Sequence, residues 1–300
     1  MSNIYGIGIY APAGFAQDPS ALARAVSLFQ AMGHRVVVDP TCHMRWQRFA
    51  AHDDERLAGI LRIAADPRVD VALALRGGYG WTRLLPHLDF DLIARSRKRW
   101  VGYSDFTAFQ LAALARTGMK SFAGPSATGD FGVESPSEFM LSHCFGLLDA
   151  SAYVVDCDLD GSTPLSTEGT LWGGNLALVA HLLGTPYFPR IDDGILFLED
   201  VGEHPYRIER MLYQLHHAGV LARQRAILLG RFTDFELNGN DAGYDFTATV
   251  AQLRSVVSVP IFTGLPFGHV ADKLTLPVGG HCVLDVANGR ARLAFSHYED

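Results

Sequence analysis

The nine residues Val101–Phe109, VGYSDFTAF, read as the end of a buried strand running straight into a helix. A plain strand-to-helix turn needs neither a hydroxyl nor a glycine just ahead of it, yet Gly102 precedes Ser104 and Asp105 follows it. A serine on such a turn projects its hydroxyl above the sheet edge, where the first backbone N–H groups of the helix also point. That geometry suits a nucleophile, because the carbonyl it attacks develops negative charge that those amides stabilise. The match to G-x-S-x-G is partial, since Phe106 stands where the second glycine would be. Taken alone, Ser104 serves equally well as a helix N-cap, with Asp105 in the first turn.

Working outward, the first 130 residues alternate strand-like and helix-like segments. IYGIGIYAP, HRVVVDP, VDVALAL, RWVGY and KSFAGP read as strands; Ser20 to Met32, residues 53–65 and DFTAFQLAALARTG read as helices. Continuous apolar strands separated by amphipathic helices indicate a parallel sheet covered on both faces. Residues 130–168 break the rhythm with GVESPSEF and DLDGSTPLSTEG, a composition that suits an interdomain crossing. Beyond it, helices NLALVAHLLG, YRIERMLYQLHHAG and TATVAQLRSVV alternate with strands GILFLED, AILLGRF and PIFTGL, and two β-rich stretches, KLTLPVGGHCVLDV and RARLAFSH, close the chain. The expected fold is α/β: an N-terminal parallel-sheet domain over 1–145 and a mixed C-terminal domain with a β-rich core over 146–300, with the active site at their interface.

Composition narrows the function classes. The 300-residue chain is 48% apolar and 19% charged, enough to bury a sizeable core. A formal charge of −7 argues against general binding to nucleic acid or an anionic membrane. The basic cluster Arg95, Arg97, Lys98 and Arg99 reads as a solvated helix end. Cys42, Cys144, Cys157 and Cys282 lie far apart with no C-x-x-C pair, which suggests reduced thiols in a cytoplasm. Neither a signal peptide nor an apolar run long enough to span a membrane is visible.

Two motifs are decoys. GIGIYA, residues 6–11, fits G-x-G-x-x-A with Asp39 after the second strand, but the glycines fall inside the strand and Pro12 and Pro19 delay the helix. His52 and Glu55 have a zinc-ligand spacing, yet Asp53, Asp54 and Glu55 read more simply as a helix first turn, and no third ligand stands nearby. No metal and no cofactor are expected.

A second turn supports the nucleophile. VALALRGGYG, residues 71–80, is a buried strand ending in a glycine loop that a parallel sheet delivers to the same edge as Ser104. Gly77 and Gly78 let backbone approach a ligand, so an N–H there, taken as that of Gly78, completes an oxyanion hole with that of Asp105. A serine also needs a base and the base an orienting group. Glu199 closes the strand GILFLED, and His269 sits in the turn LPFGHV. Spacing alone does not show that the three meet.

LALRGGYG, GYSDFTAFQ, EGTLWGGNLALV, ILFLEDVGEHPYRIERMLYQL and GLPFGHVADKLTLPVG, in this order over nearly the whole chain, resemble the LD-carboxypeptidase (muramoyltetrapeptide carboxypeptidase) family. The resemblance implies a cytoplasmic, metal-independent serine peptidase, commonly a homodimer. Such an enzyme removes the terminal D-alanine from murein tetrapeptides at the L-diaminopimelyl–D-alanine bond, in peptidoglycan recycling. It assigns the nucleophile to Ser104, the acid to Glu199 and the base to His269. An exopeptidase must also read a free carboxylate, and Asn175, Arg76 and Arg207 are the candidates. Two alternatives share the scaffold: a relative cleaving peptide–nucleotide antibiotics for self-immunity, for which Trp81 or Trp172 would stack the base, and a non-catalytic murein-peptide-binding protein. No S-x-x-K marks penicillin-binding-type chemistry.

Overall fold

Thirteen strands among the described residues build two sheets, and their C-terminal edges meet at one cleft. The computed structural model describes residues 3–161 and 163–298; Met1, Ser2, Ser162, Glu299 and Asp300 lie outside them, Ser162 within the expected crossing. The first sheet carries β1 (Gly6–Tyr10), β2 (Arg35–Val38), β3 (Val71–Ala74), β4 (Arg99–Gly102) and β5 (Ser121–Ala123), all parallel, in the order β5-β4-β3-β1-β2. These strands are short and almost wholly apolar because both faces are covered, by α1 (Pro19–Ala31), α2 (Asp53–Ala65), α3 (Trp81–Leu84), α4 (Phe90–Arg95) and α5 (Thr107–Thr117). The order reverses between β1 and β3, and the crevice beyond the strand ends at such a reversal is where α/β sheets take ligands.

The segment 130–168 is more regular than its composition suggests. It contains helix α6 (Glu138–Leu148), whose N-cap Ser137 accepts the Met140 N–H at 3.1 Å, and strand β6 (Ala152–Asp158). The Gly, Pro and acidic residues that read as a crossing supply the turns and cap around these elements. Strand β7 (Leu165–Asn175), helix α7 (Leu176–Leu182), β8 (Gly194–Val201), α8 (Pro205–His217), β9 (Gln224–Thr233), α9 (Phe246–Val256) and β10 (Ile261–Thr263) continue as a parallel series. After β11 (Leu276–Val278), β12 (His281–Ala287) and β13 (Arg290–Ser296) add antiparallel pairs, and the second sheet runs β10-β9-β8-β7-β12-β13-β6.

β11 departs from this division, because it pairs antiparallel with β5 at the edge of the first sheet. Pro277 is tolerated there, since an edge strand has one side free of ladder bonds. A second tie joins the halves near the cleft: Thr107 Oγ1, at the start of α5, accepts the Asn175 backbone N–H at 3.0 Å. Among the described residues, no helix is long and apolar enough to cross a membrane.

Candidate active site

Ser104 follows β4 in a sharp turn, with φ at +63°, in the left-handed region that a serine enters only at a cost. Its hydroxyl caps no helix: α5 has no side-chain cap, and Ser104 Oγ lies 3.1 Å from His269 Nε2. Gly102 makes the turn possible, because a Cβ there would lie 2.7 Å from the Phe106 ring. Phe106, which breaks the G-x-S-x-G pattern, thus fills the space that Gly102 vacates.

His269 arrives from the loop after β10 and Glu199 from near the end of β8. His269 Nδ1 is 2.7 Å from Glu199 Oε2, and the carboxylate is fully buried while the imidazole keeps an exposed edge. A carboxylate only accepts, so it assigns the proton to Nδ1 and leaves Nε2 to accept from Ser104. The three residues, 165 positions apart at the extremes, form one hydrogen-bonded line.

The acid has its own support. Asn175 Nδ2 donates to Glu199 Oε1 at 3.3 Å and to Asp200 Oδ1 at 2.8 Å, and Asp200 also accepts the Ala177 and Val201 N–H groups. Asn175 therefore faces the acids behind the site, and it does not line the cleft. Burial, resisted by these hydrogen bonds and reinforced by the neighbouring Glu199 charge, pushes the Asp200 carboxyl from 3.8 up to about 6. Because its folded pKa is raised, Asp200 contributes stability that is complete below the unfolded value and lost as pH rises through about 6. The melting temperature of the wild type relative to Asp200→Asn is expected to improve by several degrees between pH 7.5 and pH 5. Scanning fluorimetry at the two pH values checks this, and a difference that ignores pH defeats it.

The cleft, about 400 Å³, is lined by Ser104, His269 and Tyr103, by Arg76, Gly77 and Gly78 after β3, and by Ser126, Thr128 and Gly129. Gly77 is required by close approach: a Cβ there would lie 2.8 Å from Ser104 Cβ and 3.0 Å from its Oγ. Arg76 is half-buried, donates from Nη1 to the Phe15 carbonyl at 3.3 Å, and has no carboxylate partner among the described residues. Burial, together with nearby Arg48, lowers its pKa, while Tyr103 opposes that. Arg207 lies on α8, paired with Glu203 at 2.7 Å and outside the cleft lining.

Tyr103, Asp130 and Lys273 escape a sequence search. The Tyr103 ring packs on His269 with centroids 4.9 Å apart, and the Lys273 ammonium lies 4.0 Å from the Tyr103 centroid, paired with buried Asp130. A lysine four residues after the histidine was the one available signal, and its partner is 143 residues away. The decoys are occupied elsewhere. Asp39 pairs with Arg62 at 2.7 Å, and the His52 ring packs on Trp46. Trp81 and Trp172 are buried, so neither offers a stacking face. No group of three or more His, Cys, Asp or Glu among the described residues is placed to hold a metal ion.

Comparison with known proteins covers both halves. Family models match residues 7–124 as an LD-carboxypeptidase N-terminal domain and residues 168–284 as an LD-carboxypeptidase C-terminal domain. A murein tetrapeptide carboxypeptidase of Pseudomonas aeruginosa is 32% identical over 252 residues, 80% of each chain. The crystal structure of a muramoyltetrapeptide carboxypeptidase from Oxalobacter formigenes is 45% identical, with a TM-score of 0.93 over 98% of this chain and 100% of that one. The microcin C7 self-immunity protein MccF, in complex with glutamyl sulfamoyl guanosine, shares the fold at 22% identity, with a TM-score of 0.90 over 100% of this chain and 98% of that one.

Proposed function

The chain belongs to the LD-carboxypeptidase family and is a serine carboxypeptidase, and from this premise we propose that it removes the terminal D-alanine from murein tetrapeptides at the L-diaminopimelyl–D-alanine bond, through Ser104, His269 and Glu199. The observation that carries the mechanism is the unbroken line from Ser104 Oγ through His269 to Glu199. The choice of substrate rests on the relative at 45% identity, against the 22% that gives MccF the fold alone.

His269 Nε2 takes the Ser104 proton as Oγ attacks the carbonyl carbon preceding D-alanine. Glu199, buried and fixed, holds the imidazole by Nδ1 and stabilises the imidazolium that forms. The tetrahedral oxyanion is received by the backbone N–H groups of Asp105 and Gly78, each donor being worth on the order of 10²–10³ in rate. Collapse breaks the C–N bond, His269 returns its proton to the leaving amine, and water attacks the acyl-enzyme by the same route in reverse. Of the three candidate carboxylate readers, Arg76 takes the role, because it alone stands in the cleft. Arg76→Met is expected to raise KM roughly 10- to 100-fold, the worth of one charge-assisted hydrogen bond, with a smaller change in kcat. Steady-state kinetics on the tetrapeptide separates the two effects, and a loss confined to kcat removes Arg76 from this role.

Peptidoglycan recycling would place the step in the cytoplasm, in keeping with four buried, unpaired cysteines. The deciding experiment follows D-alanine release from a tetrapeptide ending in L-diaminopimelyl-D-alanine by mass spectrometry, with and without EDTA, beside an all-L peptide. Release that survives EDTA and spares the all-L peptide supports the proposal. No release from folded protein overturns it.

A further inference from the structure

The Asp105 side chain is buried outside the cleft lining, yet it holds the loop that carries the second proposed oxyanion donor. Its carboxylate is buried, 1% exposed, and accepts the backbone N–H of Trp81 at 3.0 Å and that of Gly80. These two amides end the glycine loop that begins at Arg76. The other side of the loop is held by Arg56, a fully buried side chain whose Nη1 donates to the Gly80 carbonyl at 3.2 Å and to the Pro12 carbonyl. Gly14 N donates to the Gly77 carbonyl at 3.2 Å, and Gly77 itself abuts Ser104. The loop is thus clamped on its N–H side by an anion and on its C=O side by a cation and an amide.

We propose that the Asp105 carboxylate is a positioning residue for the oxyanion hole, fixing the Arg76–Gly80 loop relative to the turn that carries Ser104. The inference rests on the proposed roles of Ser104 and of the Asp105 and Gly78 amides. One residue then sets both donors: its backbone N–H is the first, and its side chain anchors the loop that presents the second. The carboxylate reaches the loop from the turn that carries Ser104, 24 residues on in the chain, so it ties the two segments together. Burial, partly offset by those two amides and by Arg56, raises its carboxyl to about 6, so keeping it ionised in this place costs free energy that a neutral side chain would not. Asparagine keeps the volume, but it removes the charge and replaces one carboxylate oxygen with an NH₂ group, so the hold on the loop's N–H groups weakens.

The test is Asp105→Asn in the full chain, assayed on the tetrapeptide and with a peptide boronic acid whose boron replaces the scissile carbonyl carbon. Ser104 Oγ adds to boron to give a tetrahedral boronate whose oxygen occupies the hole. Expected are a 10- to 100-fold loss of kcat, a KM within about threefold of wild type, and boronate affinity weakened by a similar factor to kcat, a part of the worth of one oxyanion donor. Affinity for the uncleaved tetrapeptide in the Ser104→Ala background, where the scissile carbonyl stays uncharged, changes by less than about threefold when Asp105→Asn is added. Should Asp105→Asn not fold, Asp105→Ser, which removes the charge in less volume, carries the same expectations. A folded variant that keeps wild-type kcat and boronate affinity overturns the inference, as does one that weakens binding of the uncleaved tetrapeptide and of the boronate equally. Ser104→Ala run in parallel separates this from the parent reading: if that variant still turns over, the assignment of Ser104 fails, whatever Asp105 does.

Discussion

Ser104→Ala is expected to lower kcat on the tetrapeptide roughly 10⁴- to 10⁶-fold while the protein keeps its melting temperature to within a few degrees. The size follows from the linear arrangement. Ser104 Oγ meets His269 Nε2 at 3.1 Å, and without that oxygen no acyl-enzyme forms, so the remaining groups act only on bound water. Stability should barely change because the hydroxyl caps no helix, and alanine in the turn keeps the same backbone conformation. Burst kinetics, intact-mass detection of the acyl-enzyme and a thermal melt on the same sample decide it. Turnover within a hundredfold of wild type would mean that another group delivers the nucleophile.

Glu199→Gln has the second largest expected effect, a fall in kcat of about 10⁴-fold with the side-chain volume kept. A carboxylate forces the imidazole proton onto Nδ1, 2.7 Å away, whereas an amide can present its NH₂ there, place the proton on Nε2 and leave Ser104 without a base. Among the described residues, Glu199 is the carboxylate paired with His269 Nδ1. KM should move little, because Glu199 is wholly buried and does not itself line the cleft. A parallel rise in KM would instead show that the substitution deforms the cleft, and His269 chemical shifts distinguish the two outcomes.

The parts of this molecule that repeat a local rule are legible in the sequence. The apolar runs of β3, β4, β8 and β9 give the parallel series, α2 begins and ends where its acidic first turn and Pro67 require, and the turn at Ser104 stands out because its glycine and serine exceed what a cap needs. What depends on distant partners is not legible. KLTLPVGGHCVLDV reads as β-rich, but nothing in it announces that Leu276–Val278, three residues with a proline at the centre, leave the second sheet to pair with β5. Asn175 sits at a strand end where a substrate contact is plausible. Its direction is set by Glu199 and Asp200, more than twenty residues on. Asp130 and Lys273 meet beneath Tyr103 from positions 143 residues apart, and no local pattern announces that they will. The proposed triad belongs to both classes: each member lies on a recognisable turn, while their meeting is a property of two sheets packed together.

The placement of β11 bears on when the enzyme first exists during its own synthesis. The ribosome delivers Ser104 early, beside a sheet whose outer edge stays open until Leu276–Val278 emerge and pair with β5. His269 precedes that strand by only a few residues, so base and missing edge leave the exit tunnel almost together. A nascent chain therefore holds the proposed nucleophile without its base through most of translation. Chains truncated before this point should lack both the base and the covered edge, giving a species that neither hydrolyses nor folds cleanly and that quality control can tell from the finished protein.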